Sequence, residues 1–510
     1  MNDCTAMQRI AYCHNSEIRH FMLDVLRMLK QEVGSEIHVY CGIREQVSFY
    51  DQALADGEID SVSAINQSRY PHSVSRISHQ KIVDEARENE RLLGTTYNRM
   101  IMGSRTYGRG FSPGGFYHPR AIYAEAASYI QILDAYNREL AVWKQAFDKH
   151  RFTLVISPTL LCRQLAEAHS LPTRTYFETG QHNWFFWTTN RYEESSELDW
   201  VMARMPDQKP VDIGGTYGAT AAIHTKIWRN MRLDRCLRLA FREIVQSLYW
   251  HLRGFQKARS YRIRDKVAFH FRRRWQGQKI RRLATTRLSD LKGQRFVFFP
   301  LHEEPETVLT IGAPERTNQL SVIGAIAREL PAGVLLVVKE SAIAIGRRPS
   351  EFYQQIMDFK NVVLLDVTER GLEVARAADA VVTIRGTVGQ EGGILGRPVI
   401  QVAEHGTYHA MPHVRYSDID GGLRDALNWA LGGEFDHARA RIDGARFYES
   451  LRAVSVDMRA FQRQLPSTYD EDLPAAAFEA LKRSLKFDCI EPSLPKKELP
   501  NRILDSSLNN

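Results

Sequence analysis

The sequence predicts an α/β protein built as two parallel-sheet lobes, and three observations carry that reading. Short apolar runs alternate with helix-spaced segments at the N-terminus. The same alternation returns, more regularly, between residues 295 and 402. The stretch between them is basic, helix-patterned and without a clear strand. At 510 residues the chain exceeds one ordinary core and suits two large domains with connecting helices.

The first lobe opens with a strand at 9–13 and a helix at 17–33, where Phe21, Met22, Val25, Leu26 and Leu29 recur at helical spacing. Gly34 closes that helix, and a strand at 36–40 completes a βαβ unit. Residues 45–95 read as polar and less regular, and 101–118 as a loop rich in glycine and aromatics. A helix is expected at 120–150, a strand at 152–157, a helix ending at His169 and a strand at 173–177. The second lobe alternates more cleanly: strands at 295–299, 334–338, 362–365, 379–384 and 398–402, with helices at 317–330, 350–358, 369–376 and 388–395 between them. Expected boundaries are 1–224, 225–290 for the basic connection, 291–432, 433–492 for two further helices, and a disordered tail over 493–510.

Hydrophobic residues make up 44% and charged residues 25%, as in a globular protein. No apolar run reaches about 20 residues, so no membrane-spanning helix is expected. The first 15 residues lack the apolar stretch of a secretory signal. Six scattered cysteines form no CxxC pair and read as free thiols. A cytoplasmic location follows from these readings. Charge is concentrated: 226–287 holds 19 Lys and Arg against three acids, a local balance of +16 in a chain of net +8. With Trp228, Tyr249, Trp250, Phe269, Phe271 and Trp275 interleaved, that segment suits an anionic membrane surface. An anionic glycan or nucleic acid, and a plain solvated linker, are the other readings; nucleic acid is not expected as a partner.

In open parallel sheets ligands bind beyond the carboxyl ends of the strands. Three strand tips of the second lobe carry chemistry. The loop 300–306 offers His302 with three acids. Lys339 ends an apolar run and can hold a phosphate as a point charge or simply snorkel to solvent. The turn 385–393 is the most telling: Arg385 is followed by Gly386 and Gly389, which let a ligand approach the backbone, by Thr387 as a helix N-cap, and by Glu391, placed to accept from ribose hydroxyls. Free amides and the helix dipole there favour a nucleotide phosphate, whereas tight packing alone also explains such a turn. No GxxxxGK[ST] loop and no HExxH occurs. The triplet Asp418–Asp420 lies past the last strand, and His405, His409 and His413 recur every four residues across Gly406 and Pro412. Neither set is expected to bind metal.

In the first lobe, Glu178 follows a strand and His182 lies close by, so both are candidate catalytic bases. Trp184, Phe185, Phe186 and Trp187 offer faces for sugar rings or, alternatively, seal a core. His20 is a weaker base, and Arg105 and Arg109 can hold an anionic acceptor or belong to a plain solvated loop.

The ordered series of Phe298 and Phe299 with the loop 300–306, Asn318 with Gln319, Lys339 with Glu340, Arg348 with Pro349, Phe352 with Tyr353, Asn361 with Val362, the turn 386–391, and Leu395 through Val399 resembles the capsule polysaccharide biosynthesis family. That family includes transferases of 3-deoxy-manno-octulosonic acid (Kdo) from its CMP form. The match covers roughly 295–405. It implies a GT-B fold: two Rossmann-like domains facing a cleft, the donor nucleotide in the C-terminal one and the acceptor in the N-terminal one. It further implies a glycosyltransferase of capsule or surface polysaccharide, a CMP- or UDP-linked sugar donor, a glycan or glycolipid acceptor, no metal and no cofactor. Nucleotide contacts carry over to Lys339, Gly386, Thr387 and Glu391. Ser341 and Ala342 stand where the family has His-Pro, a histidine that contacts the CMP phosphate in related enzymes; His302 is the residue available to replace it. A sugar-nucleotide epimerase or hydrolase, or a non-catalytic assembly protein, would share this layout.

Overall fold

A computed structural model of the chain describes residues 7–65, 78–104, 115, 127–214, 225–255, 258, 262–304, 306–459, 461 and 469–487. The first lobe begins as its spacing predicts, with β1 (Arg9–Cys13), α1 (Arg19–Met28) and β2 (Glu36–Cys41). One π-helical turn follows α1, and Gly34 stops it at φ 71°, a conformation glycine adopts without strain. The segment expected to be irregular holds β3 (Ser61–Ala64) and α2 (His79–Leu93). Both were hidden by weak signals. β3 is a four-residue, mostly half-buried edge strand, and α2 buries only Ile82, Ala86, Asn89 and Leu93 along an otherwise polar helix.

α3 (Tyr129–His150) starts later than expected, where Ser128 and Gln131 form a reciprocal cap. β4 (Leu154–Ile156), α4 (Leu160–Ala168) and β5 (Thr173–Glu178) continue the alternation. It then stops, because the aromatic run folds as β6 (Trp184–Thr188), antiparallel to β5. All five of its residues are buried, so Trp184 to Trp187 seal the core and offer no sugar-binding face. After α5 (Ser196–Arg204), the basic connection forms α6 (Leu233–Leu252) and α7 (Ile263–Leu283), packed on each other.

The second lobe follows its predicted order: β7 (Arg295–Pro300), α8 (Gln319–Glu329), β8 (Val334–Lys339), α9 (Phe352–Met357), β9 (Val362–Leu364), α10 (Gly371–Ala377), β10 (Ala380–Thr383), α11 (Thr387–Ile394) and β11 (Val399–Gln401). β12 (Val414–Tyr416) and α12 (Leu423–Leu431) extend it. Its six strands lie in the order β9-β8-β7-β10-β11-β12, all parallel. Apolar side chains line both faces of this sheet, which is why its strands read as continuous hydrophobic runs.

The first sheet has the matching order β3-β2-β1-β4-β5, with β6 and β13 (Val456–Asp457) added antiparallel. Strand order therefore reverses between β1 and β4 in one lobe and between β7 and β10 in the other. Those reversals are where open α/β sheets form ligand crevices. The chain's last elements tie the lobes together. α13 (His437–Val454) packs on α11 so closely that a Cβ on Gly444 would lie 2.5 Å from the carbonyl oxygens of Gly393 and Ile394. β13 then joins the first sheet, and α14 (Leu473–Lys486) covers α1 and β6, where Trp187 Nε1 donates to the Ala477 carbonyl at 2.8 Å.

Candidate functional site

The crevice of the second sheet lies between the tips of β7 and β10. His302 follows β7, and its backbone N–H donates to Gln319 Oε1 at 2.7 Å. Its imidazole Nε2 accepts the Arg385 backbone N–H at 3.2 Å, across the strand reversal. Burial, reinforced by Arg348 and Arg385, pushes the His302 pKa down to about 3, so the ring is neutral. Accepting at Nε2 places the ring proton on Nδ1. That atom is buried and has no hydrogen-bond partner among the described residues.

The turn itself is built from glycine where two groups converge on it. A Cβ on Gly386 would sit 3.0 Å from His302 Nε2 and 3.2 Å from Thr383 Oγ1, the atom that accepts the Gly386 N–H. Gly386, and not Thr387, is the N-cap of α11, and no side chain caps the helix. Thr387 is the first helical residue. The amides of Thr387 and Val388 have no carbonyl one turn ahead to bond, and they open the positive end of the helix dipole. Gly389 plays a different part from the one expected. A Cβ there would lie 2.6 Å from both Thr383 Cγ2 and Tyr408 Oη, so this glycine lets the helix pack on the sheet. Glu391 is buried in the second turn of α11.

Most of the remaining motif residues form a network beneath the crevice. Arg348 is fully buried. Its guanidinium donates to Glu340 at 2.7 and 3.0 Å, to Glu304, and to the His302 carbonyl. Tyr353 Oη donates to Glu340 at 3.0 Å, and Gln319 Nε2 donates to Glu304 and to the His302 carbonyl. Burial opposes the Arg348 charge, but Glu340 and Glu304 more than offset it and raise its pKa. Of the acidic loop, then, Glu304 is internal and Glu303 pairs with Arg347. Lys339 lies on the far side of β7 from the turn. It is buried, which lowers its pKa against the pull of Glu340, Glu369 and Asp366. These acids follow β8 and β9, so Lys339 lies in an acidic setting apart from the turn.

The turn faces the first lobe. Gly180, at φ 75°, meets the Thr387 side chain, and Gln390 Nε2 donates to the Thr179 carbonyl at 3.0 Å. Arg385 donates to the Tyr192 carbonyl and lies 3.8 Å from Glu193. Glu194 Oε1 accepts the Gly406 N–H and bonds His405 Nδ1, both at 3.2 Å, and Tyr192 stacks on the His405 ring at 3.8 Å. Burial raises the Glu194 pKa, but hydrogen bonds to His405 and Asn190 outweigh it and hold the carboxylate ionised. None of Tyr192, Glu193 and Glu194 carried a sequence signal, because their role depends on a contact between lobes.

Glu178 ends β5, half-buried beside this contact and paired in the ladder with Phe185. His182, on the same hairpin, is exposed at φ 50° and bonds Tyr448 Oη of α13 at 2.7 Å. His20 packs edge-on against Phe49. Arg105 and Arg109 lie outside the described residues. The His405–His413 segment is not helical: His413 Nε2 is bonded to the Gly393 carbonyl, away from the other two histidines. Asp418 pairs with Arg316 at 2.9 Å.

No family model matches the chain, and no curated protein matches its sequence. Solved structures align with it over most of their length. One is HepE of Anabaena in complex with UDP and glucose, at 10% identity and TM-score 0.30, over 94% of this chain and 99% of that one. A glycotransferase of kitacinnamycin aligns at 13% identity and TM-score 0.26, over 93% and 98%. The UDP-GlcNAc 2-epimerase of Neisseria meningitidis bound to UDP-GlcNAc aligns at 10% identity and TM-score 0.27, over 88% and 98%. These values are too low to bear on activity. The two-lobed α/β assignment stands on the sheet orders themselves.

The network makes a direct forecast. Arg348→Met leaves two buried carboxylates without their cation and should cost about 3–5 kcal/mol of unfolding free energy. Urea denaturation measures it, and a loss below about 1 kcal/mol would contradict the assignment.

Proposed function

We propose that the chain is a glycosyltransferase that takes a sugar from a nucleotide donor and serves the building of capsule or another surface polysaccharide. The observation that carries this reading is the turn at the second strand reversal. It presents the first-turn amides at the positive end of α11, with a neutral buried histidine and Gly386 packed beside them, and its Thr387 meets Gly180 of the opposite lobe.

Glycosyl transfer develops positive charge on the sugar and negative charge on the departing phosphate. Donors already aimed at that phosphate lower the barrier without reorganising, each contributing about 3 kcal/mol. The Thr387 and Val388 amides are those donors, and the Arg385 guanidinium, buried against Tyr192 and Glu193, adds positive potential. In this reading no metal bridge is needed. Glu391 holds the ribose, and a CMP- or UDP-linked sugar, Kdo among them, is the donor. The acceptor is a glycan or glycolipid in the first lobe's crevice.

A lipid-linked acceptor calls for a membrane contact, and α6 supplies a suitable face. Leu233, Leu237, Phe241, Ile244, Leu248 and Leu252 recur every three or four residues and all point to solvent, Phe241 at 68% and Leu252 at 78% exposure. Arg235, Arg238 and Arg242 accompany them, whereas the acid Glu243 is turned inward onto Lys266. An apolar stripe beside cations suits an anionic membrane interface, and the like charges oppose pairing with a second copy. No helix among the described residues is long and apolar enough to cross a membrane. α7 contributes less charge than its composition suggests. Arg272 and Arg273 donate to the carbonyls of residues 343–348, so they anchor the second lobe.

Thermal shift against CMP, UDP, GDP and dTDP tests the donor site. One nucleotide should raise the melting point of the wild type, and Gly386→Ala and Glu391→Ala should each weaken that binding at least tenfold with the fold retained. Wild-type affinity in both variants would contradict the site, and conversion of the sugar nucleotide without any acceptor would indicate an epimerase. For the membrane face, wild type should co-sediment with phosphatidylglycerol vesicles and not with pure phosphatidylcholine. A Phe241→Asp/Leu248→Asp double variant should lose at least tenfold in that binding; unchanged sedimentation would remove the lipid contact.

A further inference from the structure

The amino edge of the first sheet, opposite its strand tips, carries side chains that the transfer reading leaves unused. Glu36 opens β2, and His38 follows two residues later on the same face of the strand. Glu36 Oε1 lies 2.9 Å from His38 Nε2. His150, the last residue of α3, brings its Nδ1 to 3.9 Å from the same carboxylate oxygen. One metal-ligating atom from each of the three residues falls within 4.8 Å of the other two. No other three His, Cys, Asp or Glu side chains converge in this way among the described residues.

The fold holds each ring in place. The parallel register sets Ser61 of β3 beside His38, and Ser61 Oγ lies 2.8 Å from His38 Nδ1. An imidazole that binds a metal through one nitrogen is commonly fixed through the other by such an oxygen, which sets its tautomer. On the other side, Arg151 caps α3 at φ 49°, in the left-handed region. The chain turns back there, and the Thr153 N–H donates to the Arg9 carbonyl at 2.8 Å. That return stacks Phe152 on the His150 ring, with centroids 5.6 Å apart, and sets it edge-on to His38 at 5.7 Å. The two imidazole centroids are 3.7 Å apart. Arg9 stands opposite Glu36 in the ladder, but its Nε donates to the Arg151 carbonyl at 2.8 Å and braces the turn.

Two imidazoles and one carboxylate suit a borderline divalent ion such as zinc, whereas magnesium and calcium take oxygen ligands. Zinc bonds nitrogen and oxygen at about 2.0–2.2 Å, so neighbouring ligand atoms on a tetrahedral ion stand about 3.4 Å apart. The separations of 2.9 and 3.9 Å fall on either side of that spacing, within reach of small side-chain rotations. A hydrogen bond alone accounts for the contact of Glu36 with His38. It does not account for His150, whose Nδ1 approaches the same oxygen at a distance too long for a hydrogen bond.

We propose that Glu36 Oε1, His38 Nε2 and His150 Nδ1 bind one zinc-class divalent ion. The Glu36 side chain is half-exposed, so water can complete the tetrahedron. With Nε2 on the ion, His38 carries its proton on Nδ1 and donates it to Ser61. The crevice of this sheet opens at the opposite edge. The ion is therefore structural: it ties the end of α3 to the start of β2 and takes no part in sugar transfer.

The test uses the untagged full chain, stripped with EDTA and titrated with zinc chloride by calorimetry. Wild type should bind one zinc ion with micromolar or tighter affinity and should give no such signal with magnesium chloride. Glu36→Gln and His150→Gln should each weaken zinc binding at least tenfold, while their metal-free melting points match that of the wild type. Zinc should raise the melting point of the wild type and of neither variant. A wild type that does not bind zinc would overturn the site. Wild-type zinc affinity in both variants would also overturn it, because the ion would then be held elsewhere.

Discussion

The contact between Arg348 and its two carboxylates organises the second lobe's crevice. One guanidinium reaches Glu340 at the tip of β8, Glu304 in the loop after β7, and the His302 carbonyl between them. Three segments distant in sequence are thereby locked in one geometry at the sheet's carboxyl edge. His302 is held by its own backbone, so its Nε2 can fix the Arg385 amide and the glycine turn beyond it. A buried ion network of this kind is a poor source of stability, since desolvation cancels much of its attraction. Its consequence is positional: one guanidinium ties Glu340, Glu304 and the His302 carbonyl to a single point.

The two lobes then present related crevices. In the second lobe's crevice the first amides of α11 and its helix dipole favour an anion. The hairpin at 179–183 and the segment at 192–194 join the lobes at the turn itself, through Gly180, Tyr192, Glu193 and Glu194. The glycosyl-transfer proposal depends on this closeness, because the leaving and attacking oxygens must flank one carbon.

Legibility in the sequence followed the strength of the physical signal. β7 to β11 were readable because both faces of that sheet are buried and each strand is a short apolar run. β3 and α2 were not, since an edge strand and a mostly polar helix carry little periodicity. The run at 184–187 showed that aromatic residues cluster there but not that they pair antiparallel with β5 and face inward. Strand-tip reasoning pointed to His302 and the 385–391 turn, which the fold brings together at the β7–β10 reversal. It could not show that Gly389 is needed where α11 packs on Thr383 and Tyr408, or that Lys339 is buried among the acids that follow β8 and β9.

Amide hydrogen exchange with and without the nucleotide that best stabilises the protein addresses the central claim most directly. If the opening turn of α11 grips the phosphate, exchange should slow by tenfold or more over 385–390, with smaller changes elsewhere in the second lobe. Saturating nucleotide that leaves this segment unprotected, while protecting another part of the chain, would contradict the account.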